Sequence, residues 1–150
     1  MAIPVLRQFK RLLVAGLLGT ALATSPAIAD NFDEAIDLFQ NGRQPEAVKM
    51  LQDLTNQHDA RATYVLGLLY LNGISVRTDQ ELGLRLITES AGQYNNARAQ
   101  NYLGSLYYEG RLVQQDFKAA FHWYEKAAHQ EDPDAEYNLS VLYAYGDGVE

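Results

Sequence analysis

The sequence predicts an all-α protein, an array of about three and a half stacked helix hairpins. Two observations carry this expectation: blocks that recur at a fixed offset, and, within each block, apolar residues at helical spacing interrupted by a glycine turn. Ala62 falls on Ala99, Leu66-Gly67 on Leu103-Gly104, Tyr70 on Tyr107, Gly73 on Gly110, Asp79 on Asp116 and Ala91 on Ala128, each 37 residues on. From Pro133 the pattern starts again, with Ala135, Leu139-Ser140, Tyr143 and Gly146 placed 36 residues beyond the preceding copy. A hydrophobic content of 47% against 21% charge supplies enough apolar surface for such units to pack.

Residues 1–29 differ from everything after them. Arg7, Lys10 and Arg11 precede an apolar run from Leu12 to Leu22, and Ala27 and Ala29 form an A-x-A pattern. The run is short for a bilayer span of roughly 20 residues. The segment is expected to be an export signal cleaved after Ala29, with a membrane-anchored or buried helix as the alternative. Without it the chain holds 9 Lys and Arg against 19 Asp and Glu, a net charge of −10, which disfavours nucleic acid and anionic lipid. No later run is long enough to span a membrane, and the chain has no Cys, which excludes disulfides, thiol catalysis and a lipidated cysteine. A soluble exported protein, periplasmic or secreted, is expected.

Residues 30–58 hold the first and weakest copy, "FDEAIDLFQNGRQPEAVKMLQDL", in the order helix, glycine turn, helix. Gly42 leads to Ala47 in five residues, where the later copies take nine, so this hairpin has a tighter turn, and Pro45 fits the first turn of its second helix. Asp30, Asp33, Glu34 and Asp37 complement the dipole at the start of the first. Residues 59–95 form the second copy. Ala62, Leu66, Leu69, Tyr70 and Gly73 follow i, i+4, i+7, i+8, i+11, one face of a helix that Gly73 ends in the left-handed conformation. Asp79 stands as the N-cap of the second helix, which carries Leu82, Leu86, Ile87 and Ala91. Residues 96–132 repeat this plan with Gly110, Asp116 and then Ala119, Trp123, Tyr124 and Ala127-Ala128. Residues 133–150 contain only a first helix and the turn at Gly146, half a repeat.

Gly67 and Gly104 stand inside predicted helices, where glycine costs about 1 kcal/mol relative to alanine. With Ala35 in the first copy and Ser140 in the last, every copy places a small residue at one register. Close crossing of two helices accounts for all four; a flexible hinge would not require them.

The third copy, "ARAQNYLGSLYYEGRLVQQDFKAAFHWYEKAA", closely resembles the Sel-one-like repeat (SLR), a branch of the tetratricopeptide-like superfamily, whose pattern runs A-x-A-x-x-x-L-G-x-x-Y-x-x-G and then D-x-x-x-A-x-x-W-Y-x-K-A-A. The second copy departs from it, with Leu86-Ile87 for Trp-Tyr and Ser90-Ala91 for Ala-Ala, and the first is similar to a plain tetratricopeptide unit. The resemblance implies a right-handed α-solenoid whose concave surface is lined by first helices. Carried onto this chain, the superfamily's groove positions are Phe32 and Phe39; Arg61, Tyr64, Leu68, Leu71 and Asn72; Arg98, Asn101, Ser105, Tyr108 and Glu109; and Asp134, Tyr137, Val141 and Tyr145. Tyr and Arg are favoured at binding hot spots. The alternative for any of these Tyr is packing between hairpins. Tyr64→Ala and Tyr108→Ala are expected to weaken partner capture without affecting melting.

Catalytic constellations are poor. His122, Glu125 and His129 share a helix face at i, i+3, i+7 but do not make H-E-x-x-H, and a solvated face is expected there. There is no G-x-S-x-G, P-loop or S-x-x-K. Asn138-Leu139-Ser140 matches a glycosylation sequon, but Leu139 stands in the packing register. The resemblance implies a binding module for a protein or peptide, bacterial and exported, with no cofactor and no metal. A second class, the β-lactam-binding and hydrolysing relatives, carries a regular pair of cysteines per repeat that this chain lacks. At the other end, Leu139, Leu142 and Tyr143 are expected to lack a covering partner, which suggests a chain that continues past Glu150.

Overall fold

The computed structural model describes residues 26–148, and among these the only regular elements are seven helices. They are α1 Pro26–Gln40, α2 Gln44–Asn56, α3 Ala60–Asn72, α4 Gln80–Gly92, α5 Ala97–Glu109, α6 Phe117–Ala128 and α7 Pro133–Tyr145. The export signal expected from the sequence lies mostly outside the described residues, and Ala29 falls within α1. Packing is densest inside the hairpins α1/α2, α3/α4 and α5/α6, then between each hairpin and the next, the arrangement of a solenoid.

The turns repeat as faithfully as the helices. Gly73, Gly110 and Gly146 are left-handed, at φ of 63°, 66° and 72°, and their amides close on the carbonyls of Leu69, Leu106 and Leu142. In the two complete loops a second left-handed residue follows, Ser75 or Leu112. Each loop is then fastened by the Asp79 and Asp116 amides donating to the carbonyls of Tyr70 and Tyr107, both at 3.0 Å. The Asp79 and Asp116 side chains cap α4 and α6 by accepting from the amides of Leu82 and Ala119 at 2.9 Å. The same device starts α3, α5 and α7. Left-handed His58, Asn95 and Glu131 precede the caps Asp59, Asn96 and Asp132, which accept from Ala62, Ala99 and Ala135 at 2.9 Å. Five amides left open at helix starts are thereby satisfied at one register.

Helix crossings are tight where the small residues stand. A Cβ added at Gly104 would lie 2.7 Å from the Tyr124 ring, and one at Gly67 would meet Ile87 at 2.8 Å and the Gly83 carbonyl at 3.0 Å. A Cβ at Gly83 would in turn lie 2.8 Å from the Gly67 carbonyl and 2.8 Å from Leu71. Each crossing therefore pairs two small residues: Gly67 with Gly83, and at the matching positions Gly104 with Ala120. Ala35 and Ala47, buried with no exposed surface, hold those places in the first hairpin.

The main core runs from Phe32 to Leu106, and Trp123 packs on its flank. A smaller cluster of Ala120, Tyr124 and Leu142 closes the C-terminal side, with Tyr107 and Leu139 against it. Leu142 is therefore fully covered and Leu139 half-buried, contrary to the expectation that both would lack a partner. α6 reaches back under α7 and supplies that cover. Only Tyr143 fits the expectation: it is 61% exposed and meets the edge of Phe121 at 5.5 Å.

Polar bridges fasten helices both within a repeat and across to the next. Buried Gln100 donates to the Ala91 carbonyl at 3.0 Å and to Asn95 Oδ1 at 2.8 Å, while its own Oε1 accepts from Gln130 at 2.8 Å. Ser90 Oγ donates to the Ala60 carbonyl at 2.7 Å. Tyr94 donates to Glu89 at 2.7 Å and accepts from His58 Nδ1 at 2.7 Å. The Glu89 carboxylate holds that phenolic proton and pushes the Tyr94 pKa up to about 12.

Candidate protein-interaction surface

The first helices α1, α3, α5 and α7 lie side by side, and three contacts join them in series. The Arg61 guanidinium stacks 4.4 Å above the Phe32 ring, linking α3 to α1. Tyr64 meets Tyr102 edge-on at 6.2 Å, linking α3 to α5. Asn138 Nδ2 donates to Asn101 Oδ1 at 2.9 Å, linking α7 to α5. These contacts tie together the helices that the sequence assigns to the groove.

The groove positions divide by burial. Phe32, Phe39, Tyr64, Leu68 and Leu71 are buried, so their assignment to an open binding surface is corrected: they belong to the packed interior. For Leu71 the cause is the close α3/α4 crossing. Two facing glycines bring α4 down until Gly83 rests against Leu71, which closes the stripe that a wider crossing would leave open. Tyr64 is turned against Tyr102, and burial pushes its phenol well above the usual range. The alternative weighed for the tyrosines, packing between hairpins, is the correct one for Tyr64.

The remaining positions reach solvent. Arg61, Arg98, Asn101, Ser105, Tyr108 and Val141 are half-buried, and Asn72, Glu109, Asp134, Tyr137 and Tyr145 are exposed. Arg61 is held by the buried carboxylate of Asp59 at 3.3 Å. The Ser105 hydroxyl meets the Tyr124 hydroxyl at 3.1 Å, and Tyr108 packs on Phe117 at 5.5 Å. Tyr137 and Tyr145 are 69% and 76% exposed, far more than tyrosines that serve a core.

Three residues on this surface escaped the repeat pattern. Tyr102 accepts from Arg111 at 3.3 Å, and the Arg111 guanidinium stands 5.9 Å from the Tyr102 ring and 3.4 Å from Glu109. Burial raises the Tyr102 pKa, and Arg111 works against that rise. Asn138 supplies the amide bridge. Tyr102 and Asn138 occupy the register of Val65, so no recurring identity marks them. Arg111 follows its turn glycine as Arg43 does in the first copy, but the second copy has Ile74 there, so the repeat alone does not single it out.

His122, Glu125 and His129 do not converge. His122 packs on Trp123 at 5.6 Å, and Lys126 stands 4.9 Å over the same indole. Among the described residues no group of three His, Cys, Asp or Glu side chains is placed to hold a metal ion. No described helix is long and apolar enough to cross a membrane.

The Sel1 repeat family model matches residues 60–95, 97–132 and 133–150. The chain belongs to the Sel1 repeat family. Its second, third and incomplete fourth units are thus Sel1 repeats. Among solved structures, a Sel1 repeat protein from Oxalobacter formigenes superposes with a TM-score of 0.63 at 34% identity, over 66% of this chain and 74% of that one. A protective antigen present in uropathogenic Escherichia coli strains, displaying an SLR fold, superposes with a TM-score of 0.71 at 26% identity, over 96% of this chain and 29% of that one. In sequence, the chain is 32% identical over 109 residues to the ERAD-associated E3 ubiquitin-protein ligase component HRD3B of Arabidopsis thaliana. That match takes in 72% of this chain but 17% of the plant protein, so the chain spans about a sixth of the curated relative it matches. Sel1 repeat proteins are in general protein-interaction scaffolds.

Proposed function

We propose that this chain is an exported scaffold that holds a peptide or protein partner on the surface formed by α1, α3, α5 and α7, in the bacterial envelope or outside the cell. The observation that carries this is the set of solvent-reaching first-helix positions fixed by neighbours, Arg61 on Asp59 and Asn101 on Asn138, flanked by the highly exposed Tyr137 and Tyr145. Half-buried Arg and Asn fixed by neighbours are preorganised, so a partner loses little freedom of theirs on binding. Export rests on the basic and apolar leader ending at Ala29. The acidic balance of the rest favours a basic or neutral partner over nucleic acid.

A tagged chain crosslinked in envelope extract tests this directly. Arg98→Ala with Asn101→Ala is expected to abolish the crosslinked species while helical content and melting change little. An undiminished crosslink would remove the surface from consideration. Reproducible turnover of a chromogenic β-lactam would instead favour the enzyme class, although the cysteine pairs that mark those relatives are absent here.

A further inference from the structure

The Tyr64 side chain is 7% exposed, yet no hydrogen bond reaches its hydroxyl among the described residues. That is unusual for a buried phenol, whose oxygen finds a partner when it leaves water. The ring is accounted for by its edge contact with Tyr102. The oxygen is not sealed in, because Thr55 Oγ1 is the only fully buried side-chain oxygen or nitrogen left without a partner among the described residues. A recessed polar atom therefore opens at the seam of α3 and α5, inside the array.

The charges around that opening do not balance. The Tyr64 phenol feels Arg98 from α5 and both Asp132 and Asp134 from the start of α7. Asp132 is half-buried, with one carboxylate oxygen taken by the Ala135 amide at 2.9 Å, and Asp134 is exposed. Burial holds the Asp132 carboxyl above its usual range, and Arg98 opposes that rise without cancelling it. Arg61 adds no compensation, since it is held by Asp59 at 3.3 Å. One arginine thus faces two acids, and one negative charge is left over beside an unused hydroxyl. A guanidinium donates as a flat, fixed fork, whereas an ammonium brings three donors to a point at the end of a narrow stem. We propose that this recess takes the ammonium group of one lysine from the partner, its donors shared among the Tyr64 hydroxyl, Asp132 and Asp134. The inference rests on the reading of the first-helix surface as a partner site, and it names the side chain which that surface selects.

The probe is Nα-acetyl-lysine methylamide, titrated into the purified chain and followed through the ring resonances of Tyr102. Saturable shifts are expected, and none with the Nε-acetylated probe, which keeps the stem and loses the charge. Added salt is expected to weaken the binding. The arginine analogue is expected to bind more weakly than the lysine probe. Tyr64→Phe is expected to weaken lysine binding about tenfold, the worth of one hydrogen bond to a charged group. That variant is expected to melt as the parent does, because the hydroxyl it removes has no partner in the fold. Asp134→Asn, at an exposed position, is expected to weaken binding about threefold. Undiminished binding to Tyr64→Phe would overturn the proposal, and so would equal or tighter binding of the arginine analogue. A chain that shows the crosslink dependent on Arg98 and Asn101 yet ignores the lysine probe would overturn the lysine recess alone and leave the partner surface standing.

Discussion

Gly104 and Ser140 hold the same place in successive repeats, and their surroundings are opposite. Gly104 is pressed under the Tyr124 ring, while Ser140 faces solvent. The backbone around them is shared: both helices begin at an aspartate or asparagine cap and end at a left-handed glycine. Local structure is therefore set by the repeat itself, whereas burial is set by whether a second helix crosses. A repeat motif fixes the shape of the helix, and its neighbours decide what the helix surface is for.

The comparison can be broken most severely at the filled crossing. Gly104→Leu drives a branched side chain into the Tyr124 ring and is expected to cost about 3 kcal/mol, the upper end for overpacking, seen as a large fall in melting temperature. Next is Tyr64→Ala. The expectation from groove register alone was weaker capture with unchanged melting. Because Tyr64 is buried against Tyr102, the variant is now expected to lose about 3 kcal/mol in urea unfolding. Asp116→Ala removes the side-chain cap of α6, and a loss of about 1 kcal/mol in urea unfolding is expected.

The smallest effect concerns Asp132. Burial holds its carboxyl above the usual range, the Ala135 amide and Arg98 opposing and Asp134 adding to the rise. A carboxyl whose pKa is raised by folding binds its proton more tightly in the folded state. Its ionisation therefore destabilises the fold at neutral pH, and the penalty disappears as pH falls through the raised value. Asp132→Asn keeps a capping acceptor and is expected to melt at or slightly above the parent at pH 7, with the difference closing as pH falls through the carboxylate range. A difference that grows on acidification would contradict this.

Most of the fold was legible because it is written several times. The caps Asp79 and Asp116, the turn glycines and the small residues at the crossings recur at fixed offsets, and each has one physical reason to recur. Asp59, Asn96 and Asp132 were equally legible by the same offsets, and so was the second half of each crossing, Gly83 and Ala120. The binding surface was harder to read. Register says which helix face a residue occupies, but not how closely the paired helix approaches, and the Gly67–Gly83 contact turned Leu71 from surface into core. Tyr102 and Asn138 differ from Val65 at the same register, and Arg111 is shared with Arg43 but not with Ile74, so only their distances to neighbours identify them.

The most direct test is a pair of thermal melts, Gly104→Leu and Ser140→Leu, made in the same chain and buffer. A large loss for the first and a change within about 0.5 kcal/mol for the second is the expected result, the range for exposed positions away from special contacts. Equal losses would show that the small residue matters to the helix itself rather than to what crosses it, and would contradict the account of both sites.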